Sequence, residues 1–210
     1  MDTKKSIQKY LEELSSNSPT PGGGNVAALC GALAASLGTM VCNLTIGKKK
    51  YLDVENEMQE LKEKLNACSE KFISLGKSDN EAFDRVMDAF KLPKETDEQK
   101  ILRSEAIEKS TIEAANVPAE VLKTCREVIP FLKTISKKGN QNSLSDVGVA
   151  IALIQAAAMG AYLNVLINYS ALKEKQKAFE LINLAELINN ELLGETQLLL
   201  TEIKLKIKEN

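Results

Sequence analysis

The stretch SPTPGGGNVAALCGALAASLG, Ser18–Gly38, decides the fold of this chain. Two prolines and three consecutive glycines come directly before a run of small and apolar residues that continues to Ile46 without a charged side chain. Prolines and glycines mark a loop, which we place through Gly24, and the apolar run predicts a helix over Val26–Ile46. Because Ala, Gly and Ser lie on every side of this helix, we expect it to be buried all round against close neighbours.

The rest of the chain repeats helical patterns separated by polar breaks. No stretch shows the alternation of apolar and polar residues that predicts a strand. A second small-residue run, GVAIALIQAAAMGAYLNVLIN, follows the polar loop Lys137–Asp146. The predicted helices are Lys4–Ser15, Val26–Ile46 ended by Gly47, Asp53–Leu75, a short helix capped by Ser78 or Asp79 and ending at Phe90, a helix from Thr96 to Lys137 interrupted at Pro118 and Pro130, Val147–Tyr169, and Lys173–Lys208. We therefore predict one all-α domain over residues 1–210, a single-domain bundle of long helices with two buried small-residue helices.

Composition excludes several classes of function. The chain has no histidine, which removes Ser-His-Asp and Cys-His catalysis and every His-ligated metal site. Its net charge of -2, its lack of tryptophan and its aromatic content of 4% do not favour binding to nucleic acid. Acid–base chemistry near neutral pH must then use Asp, Glu, Lys, Tyr, Cys or water.

The cellular compartment follows from the cysteines and the N-terminus. The cysteines, Cys30, Cys42, Cys68 and Cys125, have no CxxC spacing and lie in apolar helical contexts, so we expect small buried hydrophobes and no structural zinc. The first residues are amphipathic and charged, without the apolar core of a signal peptide. The run Val26–Ile46 is long enough to span a membrane, but it has few large apolar residues. We expect a cytoplasmic protein without a membrane partner.

Three polar elements are candidate ligand-binding sites, and each also has a purely structural explanation. Gly22, Gly23 and Gly24 precede a helix N-terminus, where unpaired N–H groups can meet an anion or a planar heterocycle, although a tight turn explains them as well. Within GNQNSLSD (139–146), Ser143, Ser145 or Asp146 could bind a ligand or cap the next helix. A further group, Gly160, Asn164 and Asn168, is spaced by four on one helical face, where the amides need either a ligand or another helix as partner.

Charged residues give two more candidates. Asp79, in SDNEAFDRVMDAF, is a helix cap, part of a solvated helix face or a functional carboxylate. Lys48, Lys49 and Lys50 follow the first buried helix, where they stabilise the negative end of its dipole or attract an acidic substrate.

Taken together, these motifs resemble the C-terminal domain of formiminotransferase-cyclodeaminase, a family that includes stand-alone methenyltetrahydrofolate cyclohydrolases of bacteria. The resemblance rests on PTPGGGNVAALCGALAASLGTMVCNLTIGKKKY, DNEAFDRVMDAFKLPK, NVPAEVL and GNQNSLSDVGVAIALIQAAAMGAYLNVLIN, in that order. It covers nearly the whole chain and is weakest in the last helix. The family's usual serine after the glycines is Asn25 here, which is still a polar capping residue.

The resemblance implies an all-α homodimer that binds a tetrahydrofolate derivative, including polyglutamylated forms, and needs no cofactor beyond that substrate and no metal. It implies one of two reactions. In the cyclodeaminase reaction, N10 attacks the formimino carbon on N5, ammonia leaves and a methenyl bridge remains. In the cyclohydrolase reaction, water attacks the cationic methenyl carbon and the ring opens to 10-formyltetrahydrofolate. We favour the cyclodeaminase, which belongs to histidine degradation, and keep the cyclohydrolase as the alternative.

The same resemblance suggests a role for each candidate residue. Asp146 is expected to be the carboxylate nearest the reacting carbon, with Asp79 as the alternative. The substrate-binding residues are expected to be Gly22, Gly23, Gly24 and Asn25 at the folate ring, Asn140 and Ser145 in the loop, Asn164 and Asn168 at the pterin, and Lys48, Lys49 and Lys50 at the glutamate tail. A non-catalytic helical scaffold or folate-binding dimer is the competing class, because buried asparagines and small-residue helices also serve packing.

Overall fold

The computed structural model describes residues 5–170, 172 and 175–209, and within them the chain forms six α-helices and no strand. Of residue 177 only the backbone is described. The helices are α1 (Ile7–Leu14), α2 (Gly23–Thr45), α3 (Glu55–Phe90), α4 (Asp97–Lys138), α5 (Leu144–Ser170) and α6 (Lys175–Glu209), with 3-10 turns at Lys49–Val54 and Gln141–Ser143. The predicted all-α bundle of long helices is confirmed.

Short connections make consecutive long helices antiparallel neighbours, as in other helical bundles. The helix α2 lies between α3 and α5, α4 packs on α3 and α5, and α6 covers α5 and α4. A hydrogen bond of 3.1 Å from Thr39 to Asn66 links the polar edges of α2 and α3. The N-terminus of α2 therefore lies beside the middle of α3 and the C-terminal part of α5.

The small residues of α2 let its neighbours approach closely. Ala28, Ala34 and Ala35 are fully buried. A β-carbon on Gly31 would lie 2.5 Å from the Phe72 ring of α3, so the aromatic ring occupies the space that the glycine leaves. Burial of α2 is not all round, however, because Leu33 is 47% exposed on its outer face.

Two predicted boundaries around the candidate site are wrong. The helix α2 begins at Gly23 rather than Val26, so Gly23 and Gly24 form its first turn and Asn25 is inside the helix rather than at its cap. The helix α3 runs unbroken from Glu55 to Phe90, so neither Ser78 nor Asp79 starts a new helix. Buried residues along its whole length, such as Met58 and Phe72, hold α3 against α2 and outweigh the local capping preference.

The predicted interruptions at Pro118 and Pro130 are also wrong, because α4 is one helix of 42 residues. An interior proline costs a helix about 3 kcal/mol. Pro118 is buried, and the fully buried Val128 and Ile129 adjoin Pro130, so packing on both sides of each proline offsets that cost. The predicted start of this helix is confirmed, because Thr96 caps it and forms a capping box with Gln99.

Other sequence expectations meet the structure as follows. Gly47 ends α2 with a φ of +74°, as predicted, a conformation that glycine adopts without strain. All four cysteines are free thiols, and all but the half-buried Cys30 are buried. The predicted ends Lys4 and Lys173 of the first and last helices lie outside the described residues. By length and composition, α2 and the segment Gln141–Ser170 could each span a bilayer, a property that the core helices of helical bundles share.

Candidate active-site cleft

A cleft of about 320 Å³ lies where the N-terminus of α2, the middle of α3 and the C-terminal part of α5 meet. It brings together six residues that the sequence analysis singled out on three separate segments. The residues that line it are Pro19, Thr20, Gly22, Gly23, Gly24, Asp79, Phe83, Val86, Ala114, Asn164, Ile167 and Asn168.

The Asp79 carboxylate of α3 lies against the first turn of α2. A β-carbon on Gly24 would overlap this carboxylate, at 2.7 Å from its Cγ, so only glycine leaves room for it. The backbone N–H of Asn25 donates a hydrogen bond to the carboxylate. Burial raises the pKa of Asp79 above its ordinary value, and this hydrogen bond lowers it by a smaller amount. Asp79 is therefore a half-buried carboxylate that takes up a proton more readily than an exposed aspartate.

The glycines expose the N-terminus of α2 to the cleft. The first turn of an α-helix has N–H groups without partners inside the helix, and it carries the positive end of the helix dipole. At Gly23 a β-carbon would lie 3.5 Å from Asn164 Nδ2, an ordinary contact distance, whereas at Gly24 it would not fit. The two neighbouring glycines thus differ, because only Gly24 is required by the position of Asp79.

Asn164 and Asn168 form the α5 wall of the cleft. Asn164 Nδ2 donates to the Gly160 carbonyl at 2.8 Å, and Asn168 Nδ2 donates to the Asn164 carbonyl at 2.9 Å. A carboxamide has two N–H donors and an oxygen with two lone pairs, so one such bond uses only part of its capacity. Gly160 lets α5 approach α2, because a β-carbon there would lie 3.0 Å from that of Ala27. The two amides are therefore held close to the glycine turn and can still bind a ligand.

Of the remaining predicted site residues, all but Asn25 lie at the far end of α2 and α5, which we call the lysine end: Lys48, Lys49, Lys50, Asn140, Ser145 and Asp146. Asp146 is in the first turn of α5, 18 residues before Asn164, which corresponds to about 27 Å along the helix. Lys50 and Ser145 line a separate, open depression there. Within one chain, the predicted residues therefore form two groups rather than one site.

Asn140 serves a structural purpose at the lysine end. Its backbone N–H donates to Thr45 Oγ1 at 2.9 Å, and its Nδ2 donates to the Leu44 carbonyl at 3.0 Å. Its side-chain oxygen accepts from the Asn142 N–H at 3.1 Å. Asn140 thus ties the loop before α5 to the C-terminal end of α2.

Asn25 does not line the cleft with its side chain. It is 1% exposed, and its amide binds groups on α1 and α3. Two apolar cleft residues, Phe83 and Val86, were missed by the sequence analysis. They follow Asp79 by four and seven residues and so share its helical face, a signal that was readable within the predicted helix ending at Phe90.

Comparisons with known proteins agree on one family. A family model described as formiminotransferase-cyclodeaminase matches residues 6–186. A methenyltetrahydrofolate cyclohydrolase of Methylorubrum extorquens is 42% identical over 180 residues, 86% of each chain. The formimidoyltransferase-cyclodeaminase of Rattus norvegicus is 35% identical over 163 residues, which are 78% of this chain but 30% of that protein. The crystal structure of formiminotetrahydrofolate cyclodeaminase from Thermotoga maritima superposes with a TM-score of 0.80 at 30% identity, covering 95% of this chain and 98% of that one.

Proposed function

Because the chain belongs to the formiminotransferase-cyclodeaminase family, we propose that it catalyses a reaction of the one-carbon unit held between N5 and N10 of tetrahydrofolate. The observation that carries this proposal is the half-buried Asp79 carboxylate at the N-terminus of α2, inside a cleft of about 320 Å³. A cleft of that size fits a planar heterocycle and its reacting bridge.

Asp79 supplies the chemistry that the one-carbon bridge requires. The formimino and methenyl groups are delocalised cations, so an ionised carboxylate beside them stabilises their charge. Both reactions pass through a tetrahedral carbon whose formation and collapse move protons. A carboxyl whose pKa is raised towards neutrality is a better acid–base group at physiological pH than an exposed aspartate. Asp79 thereby takes the role that the sequence analysis gave first to Asp146.

The rest of the cleft binds and orients the pterin. A pterin has hydrogen-bond donors and acceptors along its edges and two apolar ring faces. The amides of Asn164 and Asn168 and the α2 N-terminus provide donors and acceptors, while Phe83 and Ile167 provide apolar surface. Both reactions start from a carbon that is already electrophilic, so the proposal requires no cofactor beyond the folate substrate.

The first candidate reaction is that of a formiminotetrahydrofolate cyclodeaminase. N10 forms a bond to the formimino carbon, a proton passes to the departing nitrogen, and ammonia leaves. The solved cyclodeaminase of Thermotoga maritima, which matches almost end to end, supports this candidate.

The second candidate is the methenyltetrahydrofolate cyclohydrolase reaction. Water adds to the methenyl carbon, a proton is lost from the oxygen, and the bond from that carbon to N5 breaks. The 42% identity to the Methylorubrum extorquens cyclohydrolase, over 86% of each chain, supports this candidate equally.

Absorbance at the methenyl-folate band tests both candidates in separate assays. With 5-formiminotetrahydrofolate, a cyclodeaminase makes the band rise and releases ammonia in equal amount. With 5,10-methenyltetrahydrofolate, a cyclohydrolase makes the band decay faster than buffer alone. If neither rate exceeds that of an Asp79→Asn control while calorimetry still detects folate, the protein is a folate-binding module; if folate does not bind either, it is a helical scaffold.

We further propose that the protein is a homodimer, in which the second copy packs on the outer face of α2 and α5. The helix α2 has no charged residue, and α5 has only Asp146. Both helices leave large apolar side chains exposed, where a water-exposed helix would ordinarily carry charges. The large exposed residues of this face are Leu33, Met40, Leu44, Val149, Met159, Leu163 and Ile167.

An antiparallel arrangement of the two copies would also unite the two groups of predicted residues. A two-fold axis across the middle of α2 places the C-terminal end of one copy opposite the N-terminal end of the other. Lys48–Lys50 of the partner subunit would then lie near the cleft, where they can meet the glutamate tail of folate.

Light scattering coupled to size exclusion tests the second copy. We expect the native chain to elute as a dimer, Leu33→Glu to elute as a monomer, and Leu198→Glu to remain a dimer. Leu198 is a matched control because it is an exposed leucine (68%) on α6, a helix that is not part of the proposed face. A monomeric native chain, or dissociation by Leu198→Glu alone, would contradict the proposed face.

A further inference from the structure

The side-chain amide of Asn25 is buried against the segment of α3 that carries Asp79. Asn25 Nδ2 donates to the Gly76 carbonyl at 2.6 Å and to Asn80 Oδ1 at 3.2 Å. Gly76, Asp79 and Asn80 occupy consecutive turns on one face of α3. The Asn25 side chain therefore binds α3 one turn before Asp79 and at the residue directly after it.

The backbone of the same residue contacts the carboxylate. The Asn25 N–H belongs to the first turn of α2 and has no partner inside the helix, and it donates to the Asp79 carboxylate. One residue thus holds both the α3 segment that carries Asp79 and the carboxylate itself.

A third element adds a hydrogen bond to this amide. Tyr10 of α1 donates its hydroxyl hydrogen to Asn25 Oδ1 at 2.9 Å. A carboxamide rotated by 180° would present its nitrogen to the hydroxyl and its oxygen to the Gly76 carbonyl, where two acceptors would face each other. The Gly76 carbonyl therefore selects the rotamer whose nitrogen faces α3, and the Tyr10 hydroxyl stabilises that rotamer by donating to Oδ1.

We propose that Asn25 and Tyr10 are positioning residues, which hold the Asp79 carboxylate at the α2 N-terminus in the geometry that the reaction requires. This inference rests on the proposed role of Asp79. It gives α1 a part in the reaction through Tyr10, although no residue of α1 lines the cleft. Neither residue lines the cleft, so we expect their loss to act through Asp79.

The test compares two tyrosine-to-phenylalanine variants of matched chemistry. Tyr10→Phe removes the hydroxyl that binds Asn25 Oδ1. Tyr169→Phe removes a hydroxyl that binds Asn116 Oδ1 at 3.1 Å, and neither of these two residues lines the cleft. Each variant loses one tyrosine–asparagine hydrogen bond, so a merely structural role predicts the same outcome for both.

We expect Tyr10→Phe to lower kcat about fivefold with little change in KM, the effect of one weakened hydrogen bond. The acid limb of its pH–rate profile moves to higher pH, because the Asn25 N–H bond that lowers the pKa of Asp79 is weakened. We expect Tyr169→Phe to keep the native kcat and profile, and Asn25→Ala to lower kcat about a hundredfold. Unchanged kcat and pH profile in Tyr10→Phe, or equal changes in both phenylalanine variants, would overturn the inference.

A measurement that does not depend on enzymatic turnover distinguishes a failure of this inference from a failure of the proposed function. The carboxyl ¹³C resonance of Asp79, assigned by its disappearance in Asp79→Asn, reports the pKa of Asp79 in the ligand-free protein. We expect this pKa to rise in Tyr10→Phe and to be unchanged in Tyr169→Phe. An identical Asp79 titration in all three proteins overturns the positioning role, whereas an inactive native enzyme with shifted titrations overturns only the proposed reaction.

Discussion

The two ends of the α2–α5 pair differ in how they hold their polar groups. At the cleft end, Asp79 is half-buried and bound by a backbone N–H, and glycines open the helix terminus around it. At the lysine end, Asn140 is engaged with the end of α2, and Lys48 and Ser145 are exposed.

This difference supports the proposal that the reaction takes place at the cleft end, whereas the lysine end is an ordinary helix terminus. Polar residues at a helix end usually cap it or meet water, and the lysine end fits that description. At the cleft end a carboxylate is partly removed from water at a cost in free energy, a feature that is typical of groups with a chemical task.

Replacing the cleft carboxylate gives the largest expected effect. Asp79→Asn should lower kcat by about 10²- to 10⁴-fold, the usual contribution of an acid–base group. Asp146→Asn at the lysine end should have a much smaller effect on kcat. Steady-state assays of both variants, with circular dichroism to verify folding, make the comparison. If Asp146→Asn is the more damaging variant, the sequence-based assignment of Asp146 is right and the chemistry belongs to the lysine end.

The same variant makes a prediction for stability. The pKa of Asp79 is raised in the folded protein, so its contribution to stability is present at low pH and is lost as the pH rises through the folded pKa. Asp79→Asn should therefore melt at a higher temperature than the native protein near pH 7, and the difference should vanish below about pH 4. Calorimetry at the two pH values measures this. A lower melting temperature at pH 7 would mean that the ionised carboxylate stabilises the fold.

A glycine pair inside the cleft gives the next largest effect. Gly24→Ala forces the Asp79 carboxylate out of place, so we expect kcat to fall about 10²-fold. Gly23→Ala is the matched control, because its β-carbon has room and its first-turn position is equivalent. Equal kcat values in the two variants would show that the position of Asp79 against Gly24 does not matter for turnover.

Removing an amide from the α5 wall should affect binding more than chemistry. If Asn164 binds the pterin as proposed, Asn164→Ala removes those hydrogen bonds, and we expect KM to rise about 5- to 30-fold with a smaller change in kcat. Asn142→Ala, in the loop at the lysine end, serves as the control and should leave KM unchanged. A native KM in Asn164→Ala would remove this residue from the binding surface.

Neutralising the lysines gives the smallest effect. The triple variant Lys48→Gln, Lys49→Gln, Lys50→Gln should raise KM about two- to fivefold for a polyglutamylated folate, as exposed ion pairs do. The effect should fade at high salt and be weaker for the monoglutamate. An effect of equal size on both substrates would place the lysines away from the glutamate tail.

The sequence predicted the elements of the cleft but not their grouping. Three features could be predicted from the sequence because each is a pattern within one segment. These are the glycine run, the spacing of Asn164 and Asn168 by four, and the small-residue helices. The continuity of α3 was not readable, because Ser78 and Asp79 satisfy a local capping rule that the burial of Phe72 on α2 overrides. The separation of Asp146 from Asn164 follows from the rise of an α-helix once both are placed on α5.

The role of Asn25 was also beyond the sequence. As the residue after a glycine run, it fits a capping residue, and its partners on α3 lie 51 and 55 positions away in the chain. Only the packing of α2 against α3 shows that its amide is buried and that its backbone N–H meets Asp79.

A structure of the protein with 5-formyltetrahydrofolate tests the central claim most directly. The account predicts pterin density between the α2 N-terminus and Asn164, with the formyl carbon within about 3.5 Å of the Asp79 carboxylate. Pterin density at the lysine end, beside Asp146 and away from Asp79 of either copy, would contradict it.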